Sequence, residues 1–97
     1  MGKKQEYEQK MAAQLREWKA QIDLLKAKAE KAGAEQKVAY HEQIENLRKH
    51  ERKARERLDD LRDAGEDAWE HLVDGLERAG RDLKSAFERA TEKIRNP

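Results

Sequence analysis

Apolar residues return every three or four positions along almost the whole chain, and charged residues fill the gaps between them. Tyr7, Met11, Leu15, Trp18, Ile22, Leu25, Ala29 and Ala32 form one seam, which Ile44, Leu47, Ala54, Leu58 and Leu61 carry on. Such spacing places these side chains on one face of an α-helix, and its alternation of threes and fours is that of a coiled coil. Heptads run from Met11 to Gln36 and again from Tyr40 to Leu72, joined around residues 32–40 by an extra step of four. A stutter of this kind relaxes a supercoil locally without ending the helix. From Leu61 onward the repeat lengthens: Leu61, Leu72, Leu83 and Ile94 stand eleven apart, as do Ala68, Ala79 and Ala90. Eleven residues make three nearly straight turns, so this segment is expected to supercoil little.

The strongest break signal is Asp63-Ala64-Gly65-Glu66-Asp67-Ala68-Trp69-Glu70. Gly65 suits a left-handed position after a helix end, Asp67 suits an N-cap, and Glu70 three residues later completes a capping box. Gly33 has no capping residue after it and reads as a glycine tolerated inside a helix, at a cost of about 1 kcal/mol. The expected architecture is all-α and elongated, a single coiled-coil unit over 1–97: a long helix at about 4–63, a turn at about 64–67, and a shorter helix at about 68–95 folded back as an antiparallel hairpin. One continuous helix is the alternative, because the stripe crosses Gly65 in phase. In the hairpin, Leu61 is expected to meet Trp69, Leu58 to meet Leu72, Ala54 to meet Leu76, and Leu47 to meet Leu83, with Ile44 near Ala86 and Phe87. The shorter arm reaches back only to about residue 36, which leaves the stripe from Tyr7 to Ala32 without a partner inside the monomer. Tyr7, Met11, Leu15, Trp18, Ile22 and Leu25 are therefore the candidate self-association residues, toward an antiparallel homo-oligomer or a client protein.

Composition narrows the choice further. Only 36% of the 97 residues are hydrophobic and 44% are charged. Large apolar residues off the stripe are few, Leu24 and Val38 among them, so stability has to come from helix laid on helix. The chain has no cysteine, which excludes disulfides, thiolate metal sites and cysteine nucleophiles. No apolar stretch follows the basic residues at the start, Glu6 stands where a myristoylation motif needs Ser or Thr, and no apolar run is long enough to span a bilayer. A cytoplasmic location is the expectation.

Charge is segregated along the chain. Residues 48–57 carry six basic and two acidic residues, whereas residues 58–77 carry eight acidic residues and one basic. Parallel chains in register would set like charge against like, and antiparallel neighbours pair the blocks. The basic block 48–57 raises nucleic-acid binding as a third reading, but Glu51 and Glu56 interrupt it and acids follow at once. The eleven-residue repeat through Trp69, Leu72, Leu76, Leu83 and Phe87 also resembles helices that lie on lipid surfaces, which makes lipid binding the main rival; acidic side chains on the polar face weigh against anionic membranes.

No enzyme site emerges from the residues. His41, His50 and His71 lack the Glu-x-x-His spacing of di-metal sites, and no two stand at i and i+4 as in a zinc face. They read as surface or seam-edge residues, with a pH-sensitive helix contact as the alternative. No phosphate loop or nucleophilic triad appears, and no cofactor, metal or catalytic residue is expected. Acids and bases instead fall at helical spacing, as in Glu6 with Lys10, Glu45 with Lys49, Glu51 with Arg55, Asp74 with Arg78, and Glu77 with Arg81. Pairs of this kind support a helix by a few tenths of a kcal/mol each.

Three stretches carry a resemblance: Gln14-Leu15-Arg16-Glu17-Trp18, Ala39-Tyr40 leading into Gln43-Ile44-Glu45-Asn46-Leu47-Arg48, and Ala64-Gly65-Glu66-Asp67-Ala68-Trp69-Glu70. Together they resemble a family of short bacterial coiled-coil stress-response proteins. That resemblance implies a small cytoplasmic helical protein linked to stress, with no catalytic residues to carry over. Gly33 and the arginine density near Arg52 depart from the pattern.

Overall fold

The computed structural model describes residues 2–95, and over them the chain is all-helical. Three helices follow one another: α1, Lys3–Glu30; α2, Ala34–Asp63; and α3, Glu70–Arg95. They lie side by side in an elongated body of 51 × 18 × 16 Å. None of the described helices is long and apolar enough to cross a membrane.

The expected helix at 4–63 is two helices, and Gly33 is the reason. The last turn of α1 tightens, with the Lys31 N–H donating to the carbonyls of Ala29 and Lys28 and the Ala32 N–H donating to Ala29 at 3.2 Å. Gly33 then adopts an extended conformation (φ −68, ψ 165) and becomes the N-cap of α2. Its carbonyl opens the new helix by accepting from the Lys37 N–H at 2.8 Å. The step of four read as a stutter is the place where the chain reverses. Glycine, with the largest backbone entropy, is the easiest residue to take out of a helix, and the reversal buries a stripe that a straight helix would leave in water.

At the second joint the chain turns over Ala64–Trp69, without the expected caps. Ala64 is extended, and its N–H donates to Leu61 at 3.2 Å. The Gly65 carbonyl accepts from Ala68 at 3.0 Å and from Trp69 at 3.2 Å. No glycine among the described residues has a positive φ, so Gly65 is not the left-handed residue anticipated. Among the described residues no side-chain hydrogen bond from Asp67 or Glu70 caps α3, which begins at Glu70 and not at residue 68.

One apolar cluster runs through all three helices. Met11, Leu15, Ile22 and Ala29 from α1 join Ile44, Leu47, Ala54, Leu58 and Leu61 from α2 and Leu76, Ala79, Leu83, Ala86, Phe87 and Ala90 from α3. Leu47, Leu61, Leu76 and Leu83 are fully covered, and a leucine so buried contributes about 1.5–3 kcal/mol relative to exposure. Small residues, Ala54, Ala79, Ala86 and Ala90, let the backbones approach. The helices α1 and α3 both pack on α2, but their own Cα atoms do not come within 8 Å of each other. Side chains bridge that wider seam: Tyr7 tilts on Trp69 with ring centroids 6.1 Å apart, and Trp18 stacks on Phe87 at 4.7 Å.

Candidate association surface

The six residues assigned to self-association lie inside this single chain. Met11, Leu15 and Ile22 are buried, and Tyr7, Trp18 and Leu25 pack half-buried against the same cluster. The premise that the stripe 7–32 lacks an internal partner is therefore corrected, because reversal at Gly33 lays α1 on α2. The nine hairpin residues occupy the same core: Ile44, Leu47, Leu58, Leu61, Leu76, Leu83 and Phe87 are buried, with Trp69 and Leu72 partly so. Among the described residues, Leu24 and Val38 are the larger apolar side chains that stay well exposed, at 56% and 59%.

With the stripe covered, the outer surface is a field of charge. Three ion pairs within 4.0 Å occur among the described residues: Lys4 with Glu8, Arg55 with Glu51, and Arg62 with Asp59. Of the helical pairs anticipated from spacing, only Glu51–Arg55 closes; the others stay apart, held in water where an exposed pair gains little.

The face between α1 and α2 carries a groove made of two surface clefts that meet at Arg55. Toward the Gly33 joint it is lined by Lys19, Ile22, Asp23, Arg48, Glu51, Arg52 and Arg55. Toward the other end it is lined by Ala12, Leu15, Arg16, Arg55, Leu58, Asp59 and Arg62. Buried apolar side chains make its floor and arginines its walls. Glu51 is the one buried charged residue among those described, only 7% exposed, and it accepts from the guanidinium of Arg55 one turn on. A carboxylate so placed is held by that cation and fixes the cation in return, since an unpaired buried charge is costly. Glu51 stands on the apolar stripe, four residues after Leu47 and three before Ala54; a charge at a seam position is the signal by which the groove could have been found from sequence.

A separate cleft of 260 Å³ follows the wide α1–α3 seam, between Tyr7, Met11 and Trp18 on one wall and Glu77, Gly80 and Arg81 on the other. The Tyr7 hydroxyl is buried there and has no partner in hydrogen-bonding geometry. Burial first, then the nearby carboxylates of Glu77 and Asp74, push its pKa up to about 12. Glu77 thus lies near enough to perturb the phenol without completing a well-formed hydrogen bond. Of the histidines, His41 and His71 are exposed, while His50 is half-buried beside Gln43, Asn46, Arg89 and Lys93. Among the described residues no three His, Asp or Glu side chains are grouped to hold a metal ion.

The fold and surface define an all-helical bundle with a closed apolar core and a charged exterior. Comparison with models of protein families, with characterised proteins and with solved structures finds no match.

Proposed function

We propose that the chain is a non-enzymatic helical association module, which meets other protein surfaces through charge. The observation that carries this reading is the division of labour between its faces: the apolar stripe is used within the core, while most cations and carboxylates stand unpaired in water. An electrostatic surface of this kind steers encounter and sets orientation more than it adds affinity. A role under stress, in the cytoplasm, is the biological setting that the resemblance implies.

Lipid binding is the reading to separate from it. The apolar face of α3 is covered, with Leu76, Leu83, Ala86 and Ala90 at 0% exposure, so a membrane could reach it only by opening the bundle. Flotation with zwitterionic and with anionic vesicles, read together with tryptophan emission, tests this. The expected result is no co-flotation and unchanged emission. Co-flotation with a spectral shift at Trp18 and Trp69 replaces the association reading with bundle opening on lipid.

A further inference from the structure

Gln43, Asn46 and His50 follow one another at steps of three and four on α2, and Arg89 and Lys93 stand four apart on α3. Such steps keep each group on a single side of its helix. Where α3 packs on α2 the two groups meet, and together they line a cleft of 340 Å³. Every one of the five side chains donates hydrogen bonds, and His50 offers an N–H whether its ring is neutral or charged. Among the described residues no carboxylate lines the cleft, and neither Arg89 nor Lys93 has an acid within 4.0 Å. None of the five donates to a protein acceptor through its side chain, again among the described residues. The neighbouring acids Glu42, Glu45, Glu88 and Glu92 are exposed and stand outside the lining.

The α1–α2 groove differs in this respect, since Glu51 and Asp59 on its walls already hold Arg55 and Arg62. In the α2–α3 cleft the donors of both helices are left for a ligand, which must bring negative charge and several acceptor oxygens. An arginine fork grips two oxygens at once and a lysine adds a point charge. A carboxylate would spend both its oxygens on that wall; a tetrahedral oxyanion keeps others for the amides and imidazole of α2. The cations stand one turn apart, about 6 Å along the helix, which suits an anion longer than a single phosphate. The lining is polar throughout, so nothing there stacks a base, seats an acyl chain or receives an apolar anchor from another protein.

We propose that the α2–α3 cleft is a binding site for a small phosphate-bearing anion, gripped by Arg89 and Lys93 and hydrogen-bonded by Gln43, Asn46 and His50. The ligand is recognised by its phosphate groups, and whatever else it carries points into water. The site goes beyond the association reading and does not depend on it. Because Arg89 and Lys93 are exposed, both can be neutralised without touching the core.

Titration with inorganic pyrophosphate tests the proposal, followed by calorimetry and by amide NMR shifts at about 50 mM salt, where screening is modest. Circular dichroism confirms that each variant stays helical. The parent is expected to bind, with the shifts concentrated at residues 43–50 and 89–93. R89Q/K93Q is expected to lose at least about tenfold in affinity, as when charge-assisted hydrogen bonds are removed. R48Q/R52Q takes the same charge from the α1–α2 groove and is expected to bind like the parent. No binding by the parent up to about 5 mM pyrophosphate overturns the site. Equal loss in both double variants also overturns it, because the anion is then drawn by the basic surface at large. Flotation with phosphatidylcholine vesicles containing phosphatidylinositol phosphate separates the remaining source of phosphate. No co-flotation is expected; co-flotation that needs Arg89 and Lys93, with pyrophosphate failing to bind, makes a lipid headgroup the occupant and the proposal falls.

Discussion

The α2–α3 pair and helix α1 are made of similar amphipathic sequence, yet they bury it to different depths. The four fully covered leucines, Leu47, Leu61, Leu76 and Leu83, all belong to α2 and α3. Helix α1 contributes Ala29 at 1%, Ile22 at 3% and Met11 and Leu15 at 6% exposure, but none of its large side chains is fully covered, and its two aromatic residues, Tyr7 and Trp18, are half-buried. It reaches α3 only through side chains, across a seam wide enough to hold a cleft. Dense leucine packing with small residues opposite makes α2–α3 the stable kernel; methionine and tryptophan, which adapt their shape to a looser surface, dock α1 onto it. Local stability is expected to follow that gradient.

The largest test of this gradient is Leu83→Ala. Removing a fully buried leucine from the kernel is expected to cost about 3 kcal/mol in urea unfolding, with every probe of structure lost together. A cost below about 1 kcal/mol would place the kernel elsewhere. Trp18→Ala is expected to cost about 2 kcal/mol, less than a fully buried aromatic, by loss of its stack on Phe87. Hydrogen exchange should then show α1 amides opening while those of α2 and α3 keep their protection; equal loss in all three helices would erase the distinction.

Tyr7→Phe probes the seam by pH. A phenol whose pKa is raised from 10.0 to about 12 in the folded chain holds its proton more tightly there than when unfolded. Its stabilising contribution is complete below pH 10 and declines as pH rises through about 12. The difference in stability between parent and Tyr7→Phe should therefore shift in favour of Phe across that alkaline window and stay flat below it. A difference that is constant from pH 8 to 12 would mean the hydroxyl is solvated. The smallest expected effect is at the first joint. Gly33 caps α2 without a side-chain hydrogen bond, and a Cβ there meets nothing within 4 Å. Gly33→Asp should raise stability by a few tenths of a kcal/mol, seen as a small rise in the urea midpoint.

Helix content, the core stripe and the turn near Gly65 were all legible, because each is written in local spacing. The reversal at Gly33 was not, since its signal is a phase step and a glycine without capping partners, and both are also compatible with an uninterrupted coiled coil. What decides between them is non-local: only folding α1 onto α2 removes Met11, Leu15 and Ile22 from water. The same error assigned Tyr7 and Trp18 to a free face. Glu51 illustrates a different limit. Its pairing with Arg55 was visible from spacing and its place on the apolar stripe marks it, but that the position is covered follows only from α1 folding onto α2.

The order in which the helices touch also sets how fast they can find one another. Backbone contacts join α1 to α2 and α2 to α3, each neighbour in sequence, while α1 and α3 meet by side chains alone. Short joints at Lys31–Gly33 and Ala64–Trp69 close these pairings at little entropic cost. Chains with such local topology cross to the native state in microseconds to milliseconds. Once opened, such a molecule closes again within milliseconds, while how often it opens is set separately by its unfolding rate.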